Sequence, residues 1–226
     1  MNNTQRILAD ITRREHEATK ADIKTSGWKT ALAASQQRLQ HLSGLIASTA
    51  SSKAACSAGC WYCCHLKVDA RAEEVFQIAE HVQTRFSAQR QQQVRDKVTE
   101  NARQLSAMTR EQQFSANLPC AFLHDGQCSI YEVRPIRCRT FHATDVASCK
   151  QAWEEPSNLE IQSALVPELL YTGEAHIKGS RQAFADAGYD STVYELNAAM
   201  AMALSDSTPK RRFEKHKRAF VGIGQN

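Results

Sequence analysis

The sequence predicts a mainly α-helical fold carrying a small β-hairpin and a cysteine-rich metal site. Three observations predict it. Glycine and proline are scarce, at nine and five in 226 residues, about half their usual frequency. No proline precedes Pro119, and neither glycine nor proline lies between Cys60 and Leu118, so nothing there punctuates a helix. All eight cysteines fall between Cys56 and Cys149, in two groups of four.

Taken in order, Ile7, Leu8 and Ile11 share one helical face. Beyond Ser26-Gly27 so do Trp28, Leu32, Leu39, Leu42 and Ile46, which predicts two helices over residues 4–50. Residues 47–53 are small and polar and read as a linker. Asp69 is placed to cap a helix over 70–86 that buries Val75, Phe76, Ile78, Ala79, Val82 and Phe86. Ser87 caps the next helix, with Val94, Val98, Ala102, Leu105 and Met108 inward. Thr109 and Gln112 form a capping box for a short third one.

From Cys120 to Tyr131 the period changes. Asp125-Gly126, between Ala121-Phe122-Leu123 and Ser129-Ile130-Tyr131, signals a hairpin. Ser157 and Glu160 make a further capping-box pattern. Pro167 starts or kinks a helix that runs to about Ala187, with Gly188 at its end. Asp190 or Ser191 caps a helix carrying Val193, Leu196, Met200 and Leu204. Thr208-Pro209 opens the last helix, on which Phe213, His216 and Phe220 share a face. These elements divide into a helical N-terminal extension (1–52), a cysteine-cluster domain (53–205) and a basic C-terminal helix and tail (206–226).

Composition removes several function classes. Hydrophobic residues at 42% and charged residues at 23% describe a globular chain. Mean hydropathy is -0.49, and no apolar run approaches the ~18 residues of a membrane span. The N-terminus has no apolar signal segment, so a cytoplasmic location is expected. There stable disulfides are rare, and metal binding or redox chemistry explains clustered cysteines better. The net charge of +4 resides in the tail, where Lys210, Arg211, Arg212, Lys215, Lys217 and Arg218 face only Asp206 and Glu214. A solvated helix face accounts for that run more simply than a nucleic-acid interface, which would spread charge over a surface. The N-terminal helices offer a surface for a protein partner.

The cysteines are spaced Cys56-x3-Cys60-x2-Cys63-Cys64 and Cys120-x7-Cys128-x9-Cys138-x10-Cys149. Gaps of two to four residues let a loop wrap one metal ion, and Gly59 lets the backbone turn before Cys60. Side chains of the adjacent Cys63 and Cys64 diverge, which suits two metals or two sides of a cluster. A two-residue turn at Asp125-Gly126 would place Cys120 and Cys128 on opposite faces of the hairpin. Four plus four thiolates suit two sites, leaving a charge of about −4 around two divalent ions. Arg134 and Arg139 are placed to offset it by hydrogen bonds to sulfur. His65 and His142 could replace a cysteine, but each reads more simply as an ordinary histidine. Asp145 and Glu132 are the nearest acid–base candidates.

Cys56-Ser-Ala-Gly-Cys60-Trp-Tyr-Cys63-Cys64, followed by Pro119-Cys120-Ala-Phe-Leu123-His-Asp-Gly126-Gln-Cys128-Ser-Ile-Tyr131-Glu-Val-Arg134-Pro135-Ile-Arg-Cys138-Arg139-Thr-Phe141, resembles the YkgJ-type cysteine-cluster family. The likeness covers about residues 56–150. It implies a zinc- or iron-chelating domain, with Cys56, Cys60, Cys63, Cys64, Cys120, Cys128, Cys138 and Cys149 as the expected ligands. The first gap here is three residues, where the family's motif is often written with two. A flagellin lysine-methylating enzyme is similar to the family in this motif, which keeps an enzymatic alternative open.

The readings that follow are a protein holding zinc or iron, with the metal structural in the simplest version, and an iron–sulfur enzyme. Cys56-x3-Cys60-x2-Cys63 has the spacing of the radical adenosylmethionine motif, with Tyr62 before the third cysteine. That superfamily needs alternating strands and helices, and none follow Cys64. A vicinal disulfide at Cys63-Cys64 in thiol redox or metal trafficking ranks lower, since it gives no use to the Arg134-Pro135 block. The metal-binding reading requires residues 56–64 to converge on 120–149, with sulfurs within reach of a bridging metal.

Overall fold

The computed structural model describes residues 2–57 and 59–223, so the last three residues of the predicted basic tail lie outside them. The chain is mainly helical, with two small two-stranded ribbons among the described residues.

Helix α1 (Asn3–Thr49) contains one non-helical residue, Gly27, at φ 78°. That backbone conformation favours glycine, and it folds the helix back on itself. The Arg38 Nε donates to Glu15 Oε2 at 2.7 Å, whereas a straight helix would hold these residues roughly 34 Å apart. The two predicted N-terminal helices are therefore the arms of one helical hairpin.

Both arms rest on α7 (Pro167–Asp186). The Thr12 hydroxyl donates to the Ala175 carbonyl at 3.0 Å, and Ser35 Oγ lies 3.1 Å from His176 Nε2. Glu15 is buried between Arg38, Thr19 and His176. Ser35 and Glu15 both face the same His176 nitrogen, so this is a polar seam and not a nucleophile–base–acid relay. Close approach depends on Gly179, where an added Cβ would stand 2.3 Å from the Thr12 carbonyl oxygen.

A second layer holds α2 (Ala72–Arg85), α3 (Ala88–Ser106) and α8 (Leu196–Ser205). Ser87 caps α3, and Thr109 with Gln112 boxes the short α4 (Arg110–Phe114), as the sequence predicts. The starts of α2 and α8 differ from expectation. Each is preceded by a three-residue strand, β1 (Asp69–Arg71) or β4 (Val193–Glu195), and the two strands pair antiparallel. Ala70 and Tyr194 are cross-strand partners and both are buried, so the ribbon is part of the core. The caps consequently move. Glu74 accepts the Arg71 N–H, and Glu195 accepts the N–H groups of Asn197 and Ala198. Asp190 instead takes the Tyr194 hydroxyl at 2.6 Å and the Ala219 N–H at 2.7 Å.

The Ser157–Glu160 pattern forms turns and no helix. Asn158 Oδ1 takes the Glu160 N–H and its carbonyl takes the Ile161 N–H, which closes the chain locally. Helix α9 (Thr208–Glu214) stops before His216, which adopts φ 54°. Phe213 and Phe220 are both buried, but Phe220 lies beyond the helix and His216 is exposed, so the three do not share the expected helical face. Trp28 meets Phe213 edge-on at 5.3 Å, and Phe76 stacks on Phe220 at 5.4 Å. One aromatic cluster thus draws on all three stretches of the chain. Among the described residues no helix is long and apolar enough to cross a membrane.

Gly179→Ala forces α1 and α7 apart and is expected to lower stability by about 1–3 kcal/mol. Gly44→Ala, with nothing within 4 Å of the new Cβ, should be neutral or stabilising by up to about 1 kcal/mol. Urea midpoints of the two variants decide this.

Candidate metal centre

Two stretches of loops and short elements carry the cysteines, and main-chain hydrogen bonds sew them together. The Ala55 N–H donates to the Ala143 carbonyl at 2.8 Å, and the Ala143 N–H donates back to Cys56 Sγ at 3.4 Å. Gly59 takes φ 86°, and the Cys60 N–H closes a turn on the Ser57 carbonyl. A 3₁₀ turn over Tyr62–His65 then carries Cys63 and Cys64. The Cys64 carbonyl accepts the Cys120 N–H at 2.8 Å, joining the two cysteine groups directly.

The second group is held by short elements. Strands β2 (Leu123–His124) and β3 (Gln127–Cys128) pair around Asp125 and Gly126, both at positive φ as the turn requires. Cys120 lies outside the ribbon, in a turn closed by the Leu123 N–H on its carbonyl. The strand alternation does not reach it, so the expected placement on opposite faces does not hold. Instead Cys120 and Cys128 feel each other's charge. Helix α5 (Ile136–Thr140) carries Cys138, and α6 (Val146–Glu154), capped by Asp145, carries Cys149.

A buried glutamate positions α5. Glu74 Oε1 accepts the Ile136 N–H at 2.7 Å, while Oε2 accepts the Arg71 N–H at 2.9 Å. Its neighbour Glu73 is fully buried, 3.0 Å from Arg71 Nε, yet neither of its oxygens accepts a well-directed hydrogen bond. Burial pushes the Glu73 carboxyl up to about 7, against the opposing pull of Arg71.

All eight cysteines are free thiols, and their mutual influence sorts them. Burial first, then the charges of Cys120, Cys63 and Cys128, push the Cys138 thiol far up. Burial holds Cys120 at about 11. Cys63 is raised by its hydrogen bond to Cys64 and then by burial. Cys149 is raised by burial, then by Cys56, Cys60 and Cys63. Two neighbourhoods emerge. One holds Cys63, Cys120, Cys128 and Cys138, and the other holds Cys56, Cys60 and Cys149 and adjoins the first at Cys63. Their segments converge as expected. Their sulfurs are not drawn into a formed cage, since no three Cys, His, Asp or Glu side chains among the described residues stand together at metal-holding spacing. Turns and hydrogen bonds bring the backbones of the two groups together.

The arginines face the first neighbourhood. Arg134 opposes the upward shifts of Cys63, Cys128 and Cys138, and Arg139 does so for Cys128. Arg134 lies over the Tyr131 ring at 3.7 Å, and its Nε is buried without a partner. Arg139 donates to the Arg134 and Glu132 carbonyls, which fixes the loop. His142 Nε2 is taken by the Arg139 carbonyl at 2.8 Å. His65 packs between Trp61 and Trp153.

Glu74 and this aromatic group went unread in the sequence. An Arg-x-x-Glu spacing at a helix start could have marked Glu74 as a capping residue. Trp61-Tyr62 between cysteines marks the aromatic group.

Soft thiol donors, an orphaned cation beside them, and thiols whose ionisation burial opposes all fit a bound zinc or iron ion. Residues 55–162 match the CxxCxxCC family, described as "Putative zinc- or iron-chelating domain". The match is the likeness that the motifs announce, and it spans a little under half of the chain. No curated protein and no solved structure matches the chain. The matched stretch begins where the Ala55–Ala143 bond anchors the first loop. It ends in the loop after α6, so it contains both cysteine groups and the helices α2–α6 between and around them.

Two predictions concern the support of this centre. Glu74→Ala leaves two N–H groups without their acceptor and should cost about 2–5 kcal/mol, with Cys138 becoming the fastest thiol to react with a maleimide. Glu73 binds its proton more tightly in the folded chain than at its ordinary value of 4.5. Its contribution is therefore full below pH 4.5 and is lost as the pH rises through about 7. The loss should amount to about 3 kcal/mol. Urea unfolding across that window should show the loss in the parent and not in Glu73→Gln.

Proposed function

We propose that the chain binds zinc or iron through thiolates of its eight cysteines, with Cys63, Cys120, Cys128 and Cys138 framing one position. Cys56, Cys60 and Cys149 frame a second, with Cys64 beside Cys63 between them. The observation that carries the reading is the stitching of the two cysteine groups, Cys120 N–H to Cys64 carbonyl and Ala143 N–H to Cys56 sulfur. A chain that kept eight thiols only as small apolar residues would have no use for hydrogen bonds that gather them. The helical layers supply most of the apolar core, to which the cysteine-bearing segment adds Ala121, Phe122, Ile130 and Ile136, so the reading is of a site seated on a helical scaffold.

Electrostatics supply the driving force. Thiols that resist ionisation when buried together release their protons when a cation replaces them. Arg134 then donates its free Nε–H to a thiolate and lowers the residual negative charge. Zinc suits four thiolates in a closed tetrahedral site. Iron is served by the same donors, so the metal's identity is a matter for measurement.

The chain purified without oxygen should carry one or two equivalents of zinc or iron by elemental analysis. Zinc leaves the protein colourless, and iron on thiolates gives visible absorption. A metal-free chain whose eight thiols all react at once with a thiol reagent, before and after adding either metal, would sink the proposal. Arg134→Gln should retain the fold and weaken metal binding about 10–100-fold in competition with a chelator.

A further inference from the structure

A cavity of about 350 Å³ opens beside the cysteine centre. The 3₁₀ turn with Tyr62 and His65 forms one wall, Phe114 at the end of α4 another, and Trp153 on α6 a third. Leu159, in the loop after α6, completes the rim. Cys63 and Cys149, one from each thiol neighbourhood, lie in its lining.

Three properties set the chemistry of what it takes. First, none of the residues lining it is Asp, Glu, Lys or Arg. A charged ligand would be desolvated there without a partner, which costs several kcal/mol. Second, the lining is aromatic. Trp153 meets His65 at 5.9 Å, Tyr62 at 6.0 Å and Trp61 at 5.2 Å. Third, large apolar side chains stand open to water at its mouth. Phe114 is 60% exposed, Leu159 48% and Leu66 45%. Three of the nine such residues among the described part of the chain therefore ring one cavity. The walls are braced, since Asn117 Nδ2 donates to the Trp153 carbonyl at 3.0 Å. The volume lies at the small end of the range for small-molecule sites.

We infer that this cavity is a binding site for an uncharged, planar aromatic small molecule held against the cysteine centre. Only its closeness to a metal rests on the metal-binding proposal; the cavity and its chemistry stand without it. Ring faces and edges of the aromatic walls hold such a molecule by offset and edge-on contacts. The amides of Asn158 and Gln162 and the Ser163 hydroxyl supply neutral hydrogen bonds for orientation.

The probe is N-phenylnaphthylamine, an uncharged aromatic fluorophore, titrated into the full chain with and without zinc. One saturable site per chain is expected in both. Phe114→Asp and Leu159→Asp each place a charge in the lining, from separate segments of the chain and at positions too exposed to unfold it. Each should weaken binding at least ten-fold. Tyr171→Asp, on an equally exposed apolar residue of α7 outside the cavity, should leave it unchanged. Equal affinities for the parent and both cavity variants, no saturation, or equal loss in Tyr171→Asp would overturn the inference. Zinc content of the same samples reports separately on the thiolates. A chain that binds probe without zinc keeps the cavity and loses the metal reading. A zinc-loaded chain that ignores the probe does the reverse.

Discussion

At Glu74 one buried carboxylate accepts an N–H from each of two segments, Arg71 at the start of α2 and Ile136 at the start of α5. The first belongs to the helical scaffold and the second to the cysteine-bearing loops. Helix α5 has five residues, too few to hold a helical shape alone. Its geometry is borrowed from this bond and from the burial of Ile136. Cys138 follows two residues after Ile136, and through it the first thiol neighbourhood inherits its position from α2. A charged acceptor is suited to that joint, because its bonds to N–H groups are stronger than neutral ones.

The same division of labour runs through the molecule. Regular helices and a buried ribbon build the core, while the cysteines sit on turns, a two-residue hairpin and short helices. Turns can aim several sulfurs at one point, which a long helix cannot do with ligands two or three residues apart. Burial then works against the thiols' ionisation, and the paired arginines work for it.

Most of the helices were legible because they obey local rules. Ser87, Thr109 and Pro167 each mark a start that depends on neighbours within four residues, and Asp125-Gly126 marks a turn needing positive φ. What escaped depends on distant partners. Asp69 and Asp190 looked like caps, but β1 and β4 find each other across more than a hundred residues, and the caps shift accordingly. Asn158 outcompetes the Ser157–Glu160 pattern by bonding its own neighbours. The cysteine motif announced a candidate metal site, yet Glu74, on a helix three before α5, holds the start of the helix that carries Cys138. The cavity was illegible for the same reason, since its walls come from three separated segments.

The hairpin bend at Gly27 has a consequence for synthesis. Its two arms are complete by Thr49, but their partner α7 begins only at Pro167. At ribosomal speeds the arms wait on the order of ten seconds for that partner. The buried residues of the arms are Glu15, Thr19, Ser35 and Gln36 alongside Trp28, Ala31, Leu32 and Leu39. Half of them are polar, which lowers the tendency of the waiting surface to recruit neighbours before α7 is made.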